Sequence, residues 1–181
     1  MFGFEIKGLK VVALSDTHAR HRTLSVPACD VLVHAGDACN LGNKEQLKDF
    51  FDWYQAQPAR YKIFVAGNHD TLFETANQEL ENMIPKSVIY LENNLIEIEG
   101  VTFASIAARP KLKCFIEYEP IDVLVTHGAP FGIQDEEGKG CKDLAKQILL
   151  IEPQYALFGH CHKGNKSPLR IGKTIYVNVT L

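Results

Sequence analysis

Short runs of apolar, β-branched residues recur along the chain, and each stops at a glycine, an acid or an amide. Lys10–Leu14 (KVVAL), Asp30–His34 (DVLVH), Tyr61–Ala66 (YKIFVA), Ile121–Thr126 (IDVLVT) and Tyr155–Phe158 (YALF) are almost continuously hydrophobic. That is the pattern of strands covered on both faces. Between them the apolar spacing changes to three and four. Asn43–Gln57 sets Leu47, Phe50, Phe51 and Tyr54 on one face before Pro58, and Gly140–Ile151 sets Leu144, Ile148 and Ile151 ahead of Pro153. Both predict helices, with Trp53 as packing beside Phe50. Thr71–Met83 predicts a third helix with a less regular face.

Three further runs lie closer together. Val88–Leu91, Leu95–Ile98 and Val101–Ala107 are separated by Asn93-Asn94 and by Gly100, and Leu169–Ile171 is joined to Thr174–Val179 across Gly172-Lys173. These spacings predict hairpins. A β-α-β-α opening followed by hairpins predicts an α/β fold of two packed mixed β-sheets flanked by helices. In open α/β sheets ligands gather at the carboxyl ends of strands.

Bulk composition narrows the classes. The 181 residues suit one domain spanning 1–181. A formal charge of -3 gives no electrostatic reason for a nucleic-acid polymer or a membrane partner. No apolar stretch approaches the roughly 20 residues that cross a bilayer. Met1–Lys10 carries Glu5, Lys7 and Lys10 and does not read as a secretion signal. Five cysteines, at 29, 39, 114, 141 and 161, lack paired spacing, so reduced thiols in a cytoplasmic protein are expected.

The chemistry sits where the strands end. Asp16-Thr-His18, Gly36-Asp37, Gly67-Asn-His-Asp70, Thr126-His127-Gly128 and Gly159-His-Cys-His162 each follow an apolar run. Asp16 and His18 alternate along an extended segment and face one way. Asp37, aimed by Gly36, has two oxygens and can be shared by two cations. One cation would have Asp16, His18, Asp37 and His162, and the other Asp37, Asn68, His127 and His160, each leaving room for water. Mixed nitrogen and oxygen donors favour manganese, iron, zinc or cobalt, manganese being favoured in vitro. A hydroxide bridging such a pair is a nucleophile at neutral pH, and the pair can clamp an in-line displacement at phosphorus.

Single pieces have ordinary readings. Asn68 or Asp70 alone would be a helix cap, and Asp16 and Asp37 alone are acids at strand ends. The ordered set of five argues against those readings taken together. Cys161, the middle residue of H-x-H on extended chain, points away to packing. His34 reads as a hydrogen-bonded core histidine. His21, with Arg20 and Arg22, reads as a solvated basic turn or a phosphate contact. Arg109, Lys111 and Lys113 read as a hydrated loop in preference to substrate-facing charges.

The series Asp16-x-His18, Gly36-Asp37, Gly67-Asn-His-Asp70, His127 and Gly159-His-x-His162 resembles the calcineurin-like metallophosphoesterase family. Within it, Asp16-Thr-His-Ala-Arg-His21, His34-Ala-Gly-Asp37, Thr126-His-Gly-Ala-Pro130 and Gly140-Cys141 are similar to the compact metallophosphodiesterase-domain subgroup. The resemblance implies an αββα sandwich with a dinuclear centre between strand ends. It implies that His69, not a ligand, protonates the leaving alkoxide or holds the phosphate, with Asp70 orienting that imidazole. The expected activity is hydrolysis of a small phosphodiester or phosphomonoester, a nucleotide among the candidates, with diesters favoured by the subgroup likeness. The alternative is a binding or scaffold protein like the retromer subunit of this fold, a degraded enzyme that lacks the histidine kept here as His69. Two places depart from the subgroup: only Ile106–Pro120 follows the Val101 strand, and Lys166 stands where a glycine is usual. Both border the expected substrate mouth, so the resemblance does not carry the substrate.

Overall fold

Strands β1 (Phe2–Ile6), β2 (Leu9–Leu14), β3 (Cys29–Ala35), β4 (Ala59–Val65) and β5 (Ile89–Tyr90) make one sheet in that order. β2 to β5 run parallel and β1 is an antiparallel edge. The second sheet holds β6 (Asn94–Ile98), β7 (Val101–Ser105), β8 (Val123–Val125), β9 (Tyr155–Phe158), β10 (Leu169–Ile171) and β11 (Thr174–Asn178), in the order β10-β11-β9-β8-β7-β6. Its centre is parallel, and the β6–β7 and β10–β11 hairpins form its edges. These elements come from a computed structural model that describes residues 1–74, 78–109 and 120–181.

The near-continuous apolar runs divide by parity, because successive side chains leave opposite faces of a strand. Val11, Ala13, Val31, Val33, Ile63 and Val65 from the first sheet meet Val101, Phe103, Val123, Val125, Leu157 and Val177 from the second. Their neighbours Val12, Leu14, Leu32 and Phe64 face outward under helix α1 (Lys44–Gln55), against Leu47, Phe50, Phe51 and Tyr54. Ala104, Leu124, Ala156, Phe158 and Tyr176 lie likewise under α3 (Lys142–Ile151), against Leu144 and Ile148. The layers are helix, sheet, sheet, helix, as expected. Burying each large side chain contributes on the order of 2–3 kcal/mol. Tyr54 keeps its hydroxyl satisfied by donating to the Leu32 and Ile63 carbonyls, at 2.9 and 2.7 Å.

Helix ends follow local chemistry. The Asn43 side chain accepts from the Gln46 amide at 2.9 Å, and Cys141 Sγ stands 3.5 Å from the Leu144 amide as the cap of α3. The third predicted helix is a 3-10 turn over Thr71–Glu74 and a short α2 (Gln78–Met83); 75–77 lie outside the described residues. The Val88 and Leu95 runs do not form a hairpin. β5 pairs with β4 in the first sheet and β6 with β7 in the second, so the Asn93 turn crosses between layers. Asn93 holds that crossing by accepting from the Ala107 amide at 2.8 Å, with its own φ at 49°. β1 was not expected; Phe2 and Phe4 are half-buried on one of its faces. Among the described residues no helix is long and apolar enough to cross a membrane.

The sheets are stitched together where β2 and β11 end. The Ser15 amide donates to the Val179 carbonyl at 3.1 Å, and Ser15 pairs with Thr180 as an isolated parallel bridge. Asp16 follows that seam directly, and the other strand-end motifs open around it.

Candidate metal centre

The turns after β2 and β3 run side by side. The Asp16 amide donates to the Gly36 carbonyl at 2.8 Å, that of His18 to Asp37 O at 3.0 Å and that of Ala19 to Ala38 O at 3.0 Å. These bonds hold Asp16, His18, Ala19 and Asp37 at φ 57°, 42°, 61° and 58°, and His160 reaches 66°. Left-handed backbone at non-glycine residues costs on the order of 1–3 kcal/mol each and persists where surroundings over-determine it. Asp16 and His18 therefore converge through a left-handed turn, not the extended segment expected of them.

Asp37 is 2% exposed. Its Oδ1 accepts from the His69 amide at 2.8 Å and lies 3.3 Å from His127 Nε2, while Oδ2 lies 3.8 Å from His18 Nε2. One carboxylate thus addresses two separate imidazoles. The backbone passes so close that a Cβ on Gly67 would stand 2.2 Å from Asp37 Oδ1 and 2.4 Å from its nitrogen. A Cβ on Gly36, itself at φ 97°, would meet His127 Nδ1 at 2.5 Å. The glycines make room for the acid.

His127 is fully buried, with Nδ1 2.8 Å from the Ala35 carbonyl. That acceptor puts the hydrogen on Nδ1 and directs Nε2 at the site, where Asn68 Oδ1 lies at 2.9 Å and Asp37 Oδ1 at 3.3 Å. Two oxygens around one nitrogen make a place for positive charge. Burial opposes protonation of this ring, yet Asp37 and Asp16 lift it to about 9. Burial likewise opposes ionisation of Asp37, and the His127 ring and the His69 amide overcome it to hold the carboxyl at about 2. The His160 ring, 5.2 Å from that of His127, is pushed down by burial and then by the His127 charge.

Asp16 is the second buried acid. Its Oδ2 accepts from Ser15 Oγ and from the His160 amide at 3.0 Å. Its Oδ1 lies 3.3 Å from His162 Nε2 and 3.8 Å from His18 Nε2, buried and with no hydrogen-bond partner. An unpaired buried carboxylate oxygen is costly, and a cation among these donors removes the cost. Asp16, His18 and His162 form one group whose ligand atoms lie within 4.8 Å of one another; Asp37, His127 and His160 form another, and His18, Asp37 and His69 a third. With Asn68 beside His127, all seven expected ligands come together. The donors are oxygen and imidazole nitrogen, and they fit a divalent transition cation.

His69 lies beside this set. Its ring centroid is 4.9 Å from that of His18, and its Nδ1 is buried without a partner. Asp70 does not orient it. Both Asp70 oxygens accept instead from the amides of Asp37, Ala38, Cys39 and Gly67 and from the Cys39 thiol. Sequence adjacency places Asp70 next to His69, but the turn sends the two side chains to different neighbours.

The surroundings settle other expectations. His34 is a buried core histidine, accepting from the Gly36 amide at 3.3 Å and facing Thr17 Oγ1 at 3.2 Å, and burial pushes it down to about 3. Cys161 is buried in the cluster under α3. His21 is neither solvated nor open to a phosphate: it is fully buried, with Nε2 2.9 Å from Asp49, which Arg22 also grips. Arg109 is not in a hydrated loop but buried, paired with Glu92 and donating to Tyr90 Oη at 3.1 Å. Lys111, Lys113, Cys114 and the 110–119 part of the shortened segment lie outside the described residues. Lys166 is exposed.

Two supporting residues, Ser15 and Asn178, escaped the sequence reading. Ser15 bonds Asp16. Asn178 donates to the Cys161 carbonyl at 2.7 Å and accepts from the Thr180 amide at 3.1 Å, and its own amide donates to Gln134 Oε1 at 3.0 Å. Asn178 bears the same mark as the ligands, a polar side chain closing the apolar run Ile175–Val177. A cleft of about 210 Å³ opens beside Asp16, lined also by Thr17, Arg20, Thr23, Leu24 and Leu181.

The chain is similar to known proteins in sequence and in fold. A UPF0046 protein of Caenorhabditis elegans is 35% identical over 94% of the chain, and human metallophosphoesterase domain-containing protein 1 is 28% identical over 95%. The chain spans 69% and 66% of those relatives' own lengths. Among solved structures, the phosphopantetheinyl hydrolase of Mycobacterium tuberculosis superposes with a TM-score of 0.64 at 16% identity, covering 94% of this chain and 88% of that one. A protein of Thermus thermophilus does so with a TM-score of 0.65 at 14% identity, covering 93% and 87%. At such identities the structures speak for the fold alone. Residues 9–179 match the family model of the calcineurin-like phosphoesterase superfamily domain, and with its His and Asp clusters at the strand ends the chain belongs to that superfamily, a membership that implies metal-dependent phosphoester hydrolysis.

Proposed function

We propose that the chain hydrolyses a small phosphodiester or phosphomonoester, nucleotides included, with diesters preferred. Asp16, His18, Asp37 and His162 would hold one divalent cation, and Asp37, Asn68, His127 and His160 a second. Manganese, iron, zinc and cobalt suit these donors, manganese being the choice in vitro. Such a pair supplies Lewis acidity, lowering the pKa of coordinated water and neutralising charge on a phosphoryl group.

The observation that carries this reading is the position of Asp37, whose two oxygens face His127 at 3.3 Å and His18 at 3.8 Å. The rest follows from the chain's own groups. Ala35 holds His127 in one tautomer, and the His160 amide holds one oxygen of Asp16 so that the other points inward. The His69 ring, with its unpartnered Nδ1, holds the phosphate or gives a proton to the leaving alkoxide. The cleft beside Asp16, with Arg20 on its wall, has room for part of a small ester. The preference for diesters rests on the subgroup likeness. A cytoplasmic site of action rests on the unpaired spacing of the five cysteines, at 29, 39, 114, 141 and 161.

Hydrolysis of bis(p-nitrophenyl) phosphate and p-nitrophenyl phosphate, with manganese and after EDTA, tests the proposal. A metal-dependent rate, larger on the diester, is expected; no metal-dependent rate on either removes the reading. His69→Ala is expected to lower kcat about 100- to 10,000-fold while manganese content stays near that of the wild type. Loss of the metal in that variant would make His69 a ligand instead.

A further inference from the structure

Asp70 is fully buried and collects donors from two separate turns. Its Oδ2 accepts from the Asp37 amide at 2.8 Å and the Gly67 amide at 2.9 Å. Its Oδ1 accepts from the Ala38 amide at 3.0 Å, the Cys39 amide at 3.1 Å and Cys39 Sγ at 3.3 Å. Four backbone N–H groups and a thiol converge on one carboxylate. The bond is returned, because Asp37 Oδ1 accepts from the His69 amide at 2.8 Å. The turn after β3 and the turn after β4 each place an acid on the other's backbone.

We infer that Asp70 is a positioning residue of the metal centre: it clamps these two turns and thereby fixes the carboxylate of Asp37 between the two ligand clusters. The inference rests on the proposed metal centre and gives Asp70 a role through Asp37, not through the His69 ring. Asp37 sits at φ 58°, where a non-glycine residue stays only if its surroundings insist. Charge-assisted hydrogen bonds to Asp70 supply that insistence. The clamp needs a carboxylate. An asparagine has the same shape, but in either orientation its NH2 faces backbone N–H groups, donor against donor.

Removing an outer partner of a metal ligand commonly weakens metal affinity 10- to 100-fold. Manganese titration of Asp70→Asn by calorimetry is therefore expected to show both dissociation constants raised by about that factor, since Asp37 serves both clusters. A role confined to stability would lower Tm and leave the affinities of the folded variant unchanged. Wild-type affinities in folded Asp70→Asn overturn the inference and spare the proposed function; a wild type that binds no manganese brings down both. Amide exchange on the wild type gives a reading that needs no variant to fold. The amides of Asp37, Ala38, Cys39 and Gly67 are expected to exchange slowly in EDTA-treated protein, because Asp70 already holds them. Rapid exchange there, with protection appearing only on adding zinc, would show that the cation and not Asp70 closes the turns.

Discussion

The inner and outer parts of the centre are built differently. The inner part, Asp37 with Asn68, His127 and His160, has an acid 2% exposed and an imidazole fully buried. The His127 ring is pinned by a backbone carbonyl, and the turn beneath Asp37 is pinned by Asp70. The outer part pairs the buried Asp16 with His18 and His162, whose side chains are 16% and 46% exposed. Among the described residues no hydrogen bond fixes the His162 ring, although its segment is held by Asp16 at the His160 amide, Asn178 at the Cys161 carbonyl and Glu136 at the Lys163 amide. A cation in the inner part would meet a frame already set, whereas one in the outer part must first order a side chain at the surface. On the proposed two-ion reading, the inner ion would be the tightly held one and the outer ion the exchangeable one.

The strongest way to break that comparison is to delete one imidazole from each part. His127→Ala is expected to weaken the inner cation more than the roughly 100-fold attached to outer partners, and through shared Asp37 to weaken its neighbour too. His162→Ala is expected to lower manganese stoichiometry from two to one while the remaining ion keeps its affinity. Equal losses in both variants, read by calorimetry, would erase the distinction.

A second pair sharpens it through the backbone. Gly67→Ala would set a Cβ 2.4 Å from the Asp37 nitrogen, and Gly159→Ala one 2.3 Å from Ser15 Oγ and 2.5 Å from Asp16 Oδ2. A side-chain end can swing aside and a clamped backbone cannot. Chemical denaturation is expected to show Gly67→Ala less stable by about 2–3 kcal/mol, with Gly159→Ala losing clearly less. The reverse order would mean that the outer turns are the stiffer ones.

The smallest effect is on the pH dependence of metal-free stability. The His34 ring, at about 3 in the fold, stays neutral while the unfolded chain takes up a proton below about 6.5, so stability falls as pH drops from 6.5 towards 3. His127, raised to about 9, contributes stability that is complete below 6.5 and lost as pH climbs through 9. Asp37, lowered to about 2, contributes stability present above 3.8 and lost as pH falls through 2. In EDTA the melting temperature is expected to peak near pH 6.5, where the rise of the His34 contribution meets the decline of the His127 one. Asp37→Ala, which removes the partner of His127, is expected to flatten the alkaline side and to remove the Asp37 contribution below pH 3.8, leaving the decline between 6.5 and 3.8 to His34. An alkaline decline that survives in Asp37→Ala would place the responsible group outside the inner part.

Residue type and strand-end position were legible because both are local. Asp16, His18, Asp37, Asn68, His127, His160 and His162 each follow an apolar run, and imidazole and oxygen donors are the chemistry a cation requires. What the chain did not disclose depends on contacts between distant segments. The left-handed turn at Asp16 and His18 is set by bonds to the turn after β3, and nothing within residues 16–18 encodes it. β5 looked like the first arm of a hairpin because its neighbour in sequence is β6, yet its pairing was decided by the more distant β4. Asp70 adjoins His69 in sequence and serves Asp37 in space. His21 looked like part of a basic, hydrated turn until Asp49, from α1, came to neutralise it.

The seam between Ser15 and Val179 has a temporal consequence. The acid beside Ser15 leaves the ribosome long before the strand that fixes its neighbour. Contacts between such remote parts of a chain form late. A nascent polypeptide therefore carries the turn at Asp16 without its partner strand until residue 179 has emerged, late in this fold's synthesis.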